Sequence, residues 1–122
     1  MDFDPFMLVV RSSIKSISAA DARKCLEKDP KTVFIDVRDS ASYAKAHIPN
    51  AVHMERGMLE FYLTENSPCE RKPYSQKRDD FYIVYCDKGG QSALSVQTMQ
   101  SLGFSNVHNL SGGITAWHAD EA

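Results

Sequence analysis

The sequence predicts an α/β fold, with a central, mostly parallel five-stranded sheet and helices on both faces. Three observations carry the prediction. Short β-prone runs alternate with segments of helical periodicity. The strand candidates Thr32–Ile35 and Phe81–Tyr85 are apolar nearly throughout, as strands covered on both faces are. A chain of 122 residues, 43% hydrophobic and 25% charged, suits one core, and no change of composition marks a second domain. Residues 14–122 are read as a single domain and residues 1–13 as an N-terminal arm.

The elements follow in order. Phe6 to Val10 reads as an extra strand or a packing arm, punctuated by Ser12 and Ser13. Lys15–Ile17 is a short strand. Ser18 to Asp21 has the form of a capping box, with Asp in place of the usual Glu and Ile17 and Ala22 as its hydrophobic staple. Ala22, Cys25 and Leu26 keep helical spacing, and Asp29 ends that helix because a residue before proline avoids the helical region. Thr32–Ile35 is a strand closed by Asp36–Asp39. Ser40–Ala46 is helical around Tyr43, His47–Asn50 turns, and Ala51–Met54 is a short strand. Gly57–Leu63 is helical. Glu65–Asp80 is a long polar loop, a kind of segment that often covers functional sites. Phe81–Tyr85 is the next strand and Ser92–Leu102 the next helix, with Gly103 as its C-cap. Asn106–Leu110 is the last strand, and Ser111–Gly113 turns into a helix carrying Ile114 and Trp117.

Composition excludes several function classes. A net charge of −2, from 14 basic and 16 acidic residues, argues against a general nucleic-acid binder. No apolar run is long enough to cross a bilayer, and the acidic start lacks the pattern of a secretory signal. Cysteines at 25, 69 and 86 form no Cys-x-x-Cys, so neither a disulfide framework nor a cysteine zinc site is expected. Free thiols suit a reducing compartment, which points to the cytoplasm. The histidines at 47, 53, 108 and 118 lack metal-ligand spacing, so no metal is expected.

The chemistry concentrates at Cys86. An apolar strand stops at this cysteine, the loop Asp87-Lys88-Gly89-Gly90-Gln91 follows, and a helix starts near Ser92. Main-chain N–H groups converge at such a place and favour negative charge, and the thiolate is the nucleophilic form of cysteine. The loop therefore reads as a carrier of a sulfur anion. The glycines at 89 and 90 supply left-handed backbone for such a cradle. Cys25, on the apolar side of a helix, reads as packing, and Cys69 as a surface thiol. Trp117 reads as a core plug, and His47 as ordering the turn before Pro49.

These residues resemble the rhodanese family of sulfurtransferases from Ile17 to Trp117. Ile35-Asp36-Val37-Arg38 is similar to the family's Asp-Val-Arg strand end. Tyr43 with His47-Ile48-Pro49-Asn50-Ala51 resembles its Gly-His-Ile-Pro-Gly-Ala turn. Arg56 to Phe61 resembles a segment of small single-domain bacterial members. Cys86 to Ser92 resembles the active loop Cys-x-x-Gly-x-Arg-Ser/Thr, and Gly112-Gly113-Ile114-Thr115-Ala116-Trp117 the closing Gly-Gly-x-x-Ala-Trp. The resemblance implies a rhodanese-like fold and a cofactor-free sulfurtransferase. Cys86 would take a sulfane sulfur as a persulfide from a small sulfur donor. It would then pass the sulfur to cyanide, a thiol or a sulfur-accepting protein. Asp87, Lys88, Gly89, Gly90, Gln91 and Ser92 would cradle it, with the Ser92 hydroxyl as a further donor. Asp36, Arg38 and Arg56 would stand near the pocket, Asp36 with Arg38 as a structural pair.

Gln91 departs from the family's loop arginine and carries no charge, so weak use of thiosulfate is expected unless Lys88 or Arg56 compensates. A phosphatase or arsenate reductase of related fold would need an arginine six positions after the cysteine, where Ser92 stands. A non-catalytic sulfur carrier or protein-binding module of the same fold is the other alternative.

Overall fold

The computed structural model describes residues 1–121. Its elements are α1 (Phe3–Ser12), β1 (Lys15–Ile17), α2 (Ala19–Lys28), β2 (Val33–Asp36), α3 (Ser40–Lys45), β3 (Val52–His53), α4 (Leu59–Leu63), β4 (Tyr82–Tyr85), α5 (Gly90–Ser101), β5 (Val107–Leu110) and α6 (Gly113–Glu121). Single 3₁₀ turns form at Arg56–Met58 and Tyr74–Gln76, the second inside the long polar loop.

The five strands lie in the order β1-β5-β4-β2-β3, and every pair is parallel. β4 is central, and all four of its residues are buried. Side chains alternate across the pleat. Ile35, Tyr82, Val84 and Cys86 face one core, with Val96 and Met99 of α5 and Leu59 and Leu63 of α4. Phe34, Ile83 and Tyr85 face the other, with Ala22 of α2 and Ile114 and Trp117 of α6. Trp117 packs edge-on to Phe34 at 5.4 Å between ring centroids, and the Arg23 guanidinium lies 3.9 Å over its indole. Cys86 follows the central strand and points to the α5 side.

Local signals set the element ends. The Ser18 side chain accepts from the Asp21 amide and caps α2, which ends at Asp29. Asp39 caps α3 in the same way through the Ser42 amide. The strand alternative for Phe6–Val10 is corrected, because this segment is the middle of α1. Pro5 sits in the first turn, where a missing N–H costs nothing, and Asp4 and Arg11 complement the helix dipole. Met7 and Val10, one turn apart, are buried against Ala93 and Leu94 of α5. That burial, about 1.5–3 kcal/mol for each side chain, outweighs the β preference of Val9 and Val10.

Candidate active site

The site lies at the carboxyl ends of the central strands, where parallel sheets bind ligands. β4 delivers Cys86, and two main-chain bonds anchor the loop from behind. The Ile114 amide donates to the Cys86 carbonyl (2.9 Å) and the Thr115 amide to that of Asp87 (3.1 Å). Gly89 caps α5 with φ +100°, a left-handed conformation that turns its amide toward the sulfur. Gly90 departs from expectation: it has no positive φ, opens α5 and faces open space, so the turn rests on Gly89 alone.

Cys86 is 5% exposed. Its Sγ accepts from the amides of Gly89 (3.1 Å) and Ser92 (3.4 Å) and lies 3.3 Å from the Ser92 hydroxyl. The cradle is therefore built from two amides, at the turn and in the first turn of α5. Ser92 is fully buried and donates its hydroxyl proton to Asn109 Oδ1 at 2.6 Å. In this geometry the Ser92 hydroxyl proton goes to Asn109 on β5.

Cys86 lines an open cleft of about 420 Å³. Arg38, Asp39, Cys86, Asp87, Lys88, Gly90 and Gln91 line it. Arg38 is held rigidly. Its guanidinium meets the fully buried Asp36 (2.8 Å), donates to the Ala46 carbonyl (2.6 Å) and reaches Asp87 at 3.4 Å. Hydrogen bonding to Asp36 raises the Arg38 pKa further above its ordinary value, although burial opposes this. Behind it, the Tyr85 hydroxyl accepts from the Ile48 amide, and burial holds the phenol well above its usual range.

The structure brings Arg38, Cys86, Asp87, Lys88, Gly90 and Gln91 to one cleft, with Gly89 and Ser92 beneath the sulfur. Asp36 is set back as the anchor of Arg38. Arg56 is not among the residues that line the cleft. Its guanidinium turns to Thr98 (3.1 Å), far along α5, and to Glu60 (3.4 Å), one turn ahead on its own helical segment. His47 Nδ1 bonds the Tyr43 carbonyl at 2.8 Å, within the turn before Pro49. Cys69 is exposed and Cys25 half-buried. Sequence reasoning missed Asp39, which lines the cleft, and Asn109. The signal for Asn109 was a β-depleted amide within an otherwise β-prone strand.

The chain matches the profile of the Rhodanese-like domain over residues 18–120. It is 34% identical over 105 residues to thiosulfate sulfurtransferase GlpE of Coxiella burnetii, covering 86% of this chain and 88% of that one. It spans about half (52%) of the "Putative sulfur carrier protein YrkF" of Bacillus subtilis, at 32% identity over 106 residues and 87% of this chain. Among solved structures, the Rhodopseudomonas palustris protein RPA3614, described as a possible tyrosine phosphatase, superimposes with a TM-score of 0.89 at 28% identity, covering 100% of this chain and 92% of that one. The human single-domain sulfurtransferase TSTD1 shares the fold, with a TM-score of 0.76 at 24% identity over 88% of this chain and 97% of that one. The chain belongs to the family of rhodanese-like domains.

Proposed function

We propose that the protein is a sulfurtransferase that carries sulfane sulfur as a persulfide on Cys86. The observation that supports this most is a cysteine that lines an open cleft with its sulfur facing the amides of Gly89 and Ser92. The Cys86 thiolate attacks the sulfane sulfur of a donor, and the donor's S–S bond breaks. The leaving group departs with the electron pair as a thiolate, or as sulfite when thiosulfate is the donor. An acceptor, cyanide, a thiol or a sulfur-accepting protein, then attacks the outer sulfur and returns Cys86 as thiolate. The two half-reactions balance without a redox cofactor.

The cleft favours thiol-bound persulfide donors over thiosulfate. Its cations, Arg38 and Lys88, are matched by Asp39 and Asp87, with Asp36 beneath Arg38. Gln91 adds no charge. A lost charge-assisted contact costs a dianion about 1.5–3 kcal/mol, roughly one to two decades of affinity.

Mass spectrometry after incubation with a sulfane donor tests the proposal. The expected result is a gain of one sulfur atom, absent in Cys86→Ala and removed by cyanide. No adduct from either thiosulfate or a low-molecular-weight persulfide would refute it. Steady-state assays should give higher kcat/KM with the persulfide, and saturation by dilute thiosulfate would contradict the donor preference. The name of the relative YrkF favours a second reading, a sulfur carrier. A carrier would form the adduct but release sulfur to no small acceptor. The description of RPA3614 raises phosphatase activity, yet Ser92 fills the position that would need the arginine. Cys86-dependent turnover of an aryl phosphate would favour that chemistry instead.

A further inference from the structure

The two nearly buried polar side chains beneath the sulfur, Ser92 and Asn109, form a directed hydrogen-bond chain. Asn109 Nδ2 lies 3.2 Å from the Gly89 carbonyl, and Asn109 Oδ1 lies 2.6 Å from Ser92 Oγ. A carbonyl only accepts, so the amide must present its NH₂ to Gly89. That choice fixes the other end. Oδ1 has no proton to give, so the single Ser92 hydroxyl proton points to Asn109. Ser92 Oγ then faces Cys86 Sγ, 3.3 Å away, with lone pairs only. It accepts from the thiol S–H and donates nothing to a thiolate.

We propose that Asn109 is a positioning residue that withholds the Ser92 hydroxyl from the Cys86 thiolate, leaving ionisation of the sulfur to the Gly89 and Ser92 amides. The same side chain donates to the Gly89 carbonyl, and that contact fixes which end of the amide faces Ser92.

The inference builds on the reading of Cys86 as the reactive sulfur, but its test reads alkylation of the thiol rather than sulfur transfer. Absence of a persulfide would therefore sink the proposed function and leave this measurement decisive. The charged groups around the cleft are Arg38, Asp39, Asp87 and Lys88, with Asp36 behind Arg38. The start of α6, Gly113-Ile114-Thr115, and Gln91 of α5 add none. These groups are common to the variants compared, so differences report the hydrogen-bond chain.

The experiment is the pH profile of iodoacetamide alkylation at Cys86, followed by peptide mass mapping so that Cys25 and Cys69 are counted separately. Wild type, Asn109→Leu, Ser92→Ala and the double variant are compared. In Asn109→Leu the freed hydroxyl turns to the sulfur, and the midpoint should move to lower pH by about one unit, the worth of one hydrogen bond to a charged group. In the Ser92→Ala background the Asn109 change should leave the midpoint unmoved. Ser92→Ala alone, a small buried deletion, should not raise the midpoint. An unchanged or raised midpoint in Asn109→Leu, or an equal shift with and without Ser92, overturns the proposal. If Asn109→Leu fails to fold, Ser92→Ala still decides, since a raised midpoint there means the hydroxyl was donating to the sulfur after all.

Discussion

Gly113 has φ +61°, and a Cβ at this position would overlap the main-chain carbonyls of Cys86 and Asp87. The constraint is steric and local, yet it falls on the strand end that carries the sulfur. Gly113→Ala should cost on the order of 2–4 kcal/mol and slow alkylation of Cys86, measured by thermal melts and thiol reactivity in parallel. Arg38 makes a different demand. Removing it leaves Asp36 charged and fully buried with its ion-pair partner gone. Arg38→Met should destabilise by about 3–5 kcal/mol in urea unfolding, and adding Asp36→Asn should restore part of that loss. Both residues were visible in the sequence as motif members. The pairing of Arg38 with Asp36 was legible too, but the reach of Arg38 to the Ala46 carbonyl and the closeness of Gly113 to the carbonyls of Cys86 and Asp87 were not, because sequence spacing does not show which distant stretch of main chain a residue meets. Arg56 illustrates the same point. Its charge was legible, but the pull of Glu60 and Thr98 away from the cleft was not.

Among the elements, α1 was the least legible. Val9 and Val10 favour strand, and the seat that Ala93 and Leu94 make on α5 draws Met7 and Val10 into a helix. The contact joins α1 to the helix whose first turn holds the Cys86 sulfur. Met7→Ala should lower stability by about 2 kcal/mol, read from the midpoint of urea unfolding at constant slope. The capped start of α2 was easier, since Ser18 acts within three residues of itself, whereas the matching cap of α3 by Asp39 went unread. Ser18→Ala should cost about 1 kcal/mol in the same assay, whereas Ser18→Asp should keep most of the stability.

For the whole molecule, the parallel sheet was legible because β2 and β4 are apolar almost throughout, and Cys86 was legible because the central one of them ends there. The edge between sheet and solvent was not. His108 on β5 sits against Phe81, and its Nδ1 has no hydrogen-bond partner among the described residues. Burial first, and then the charge of Lys15, hold its imidazole below the usual 6.5. The unfolded chain therefore binds the proton more readily than the folded one. The stability contributed by neutral His108 is complete above the unfolded value and is lost as pH falls through the lower folded value. The fall in Tm between about pH 7.5 and pH 5 should be smaller for His108→Gln than for wild type. Equal falls would assign the acid sensitivity to other groups.

The sulfur is gripped by peptide amides, while the side chains of Asp87, Lys88 and Gln91 look outward into the cleft. Grip and clientele are thus written in separate letters. Evolution, or an engineer, is free to exchange the outward trio and redirect which molecules call at the doorway without reforging the clasp.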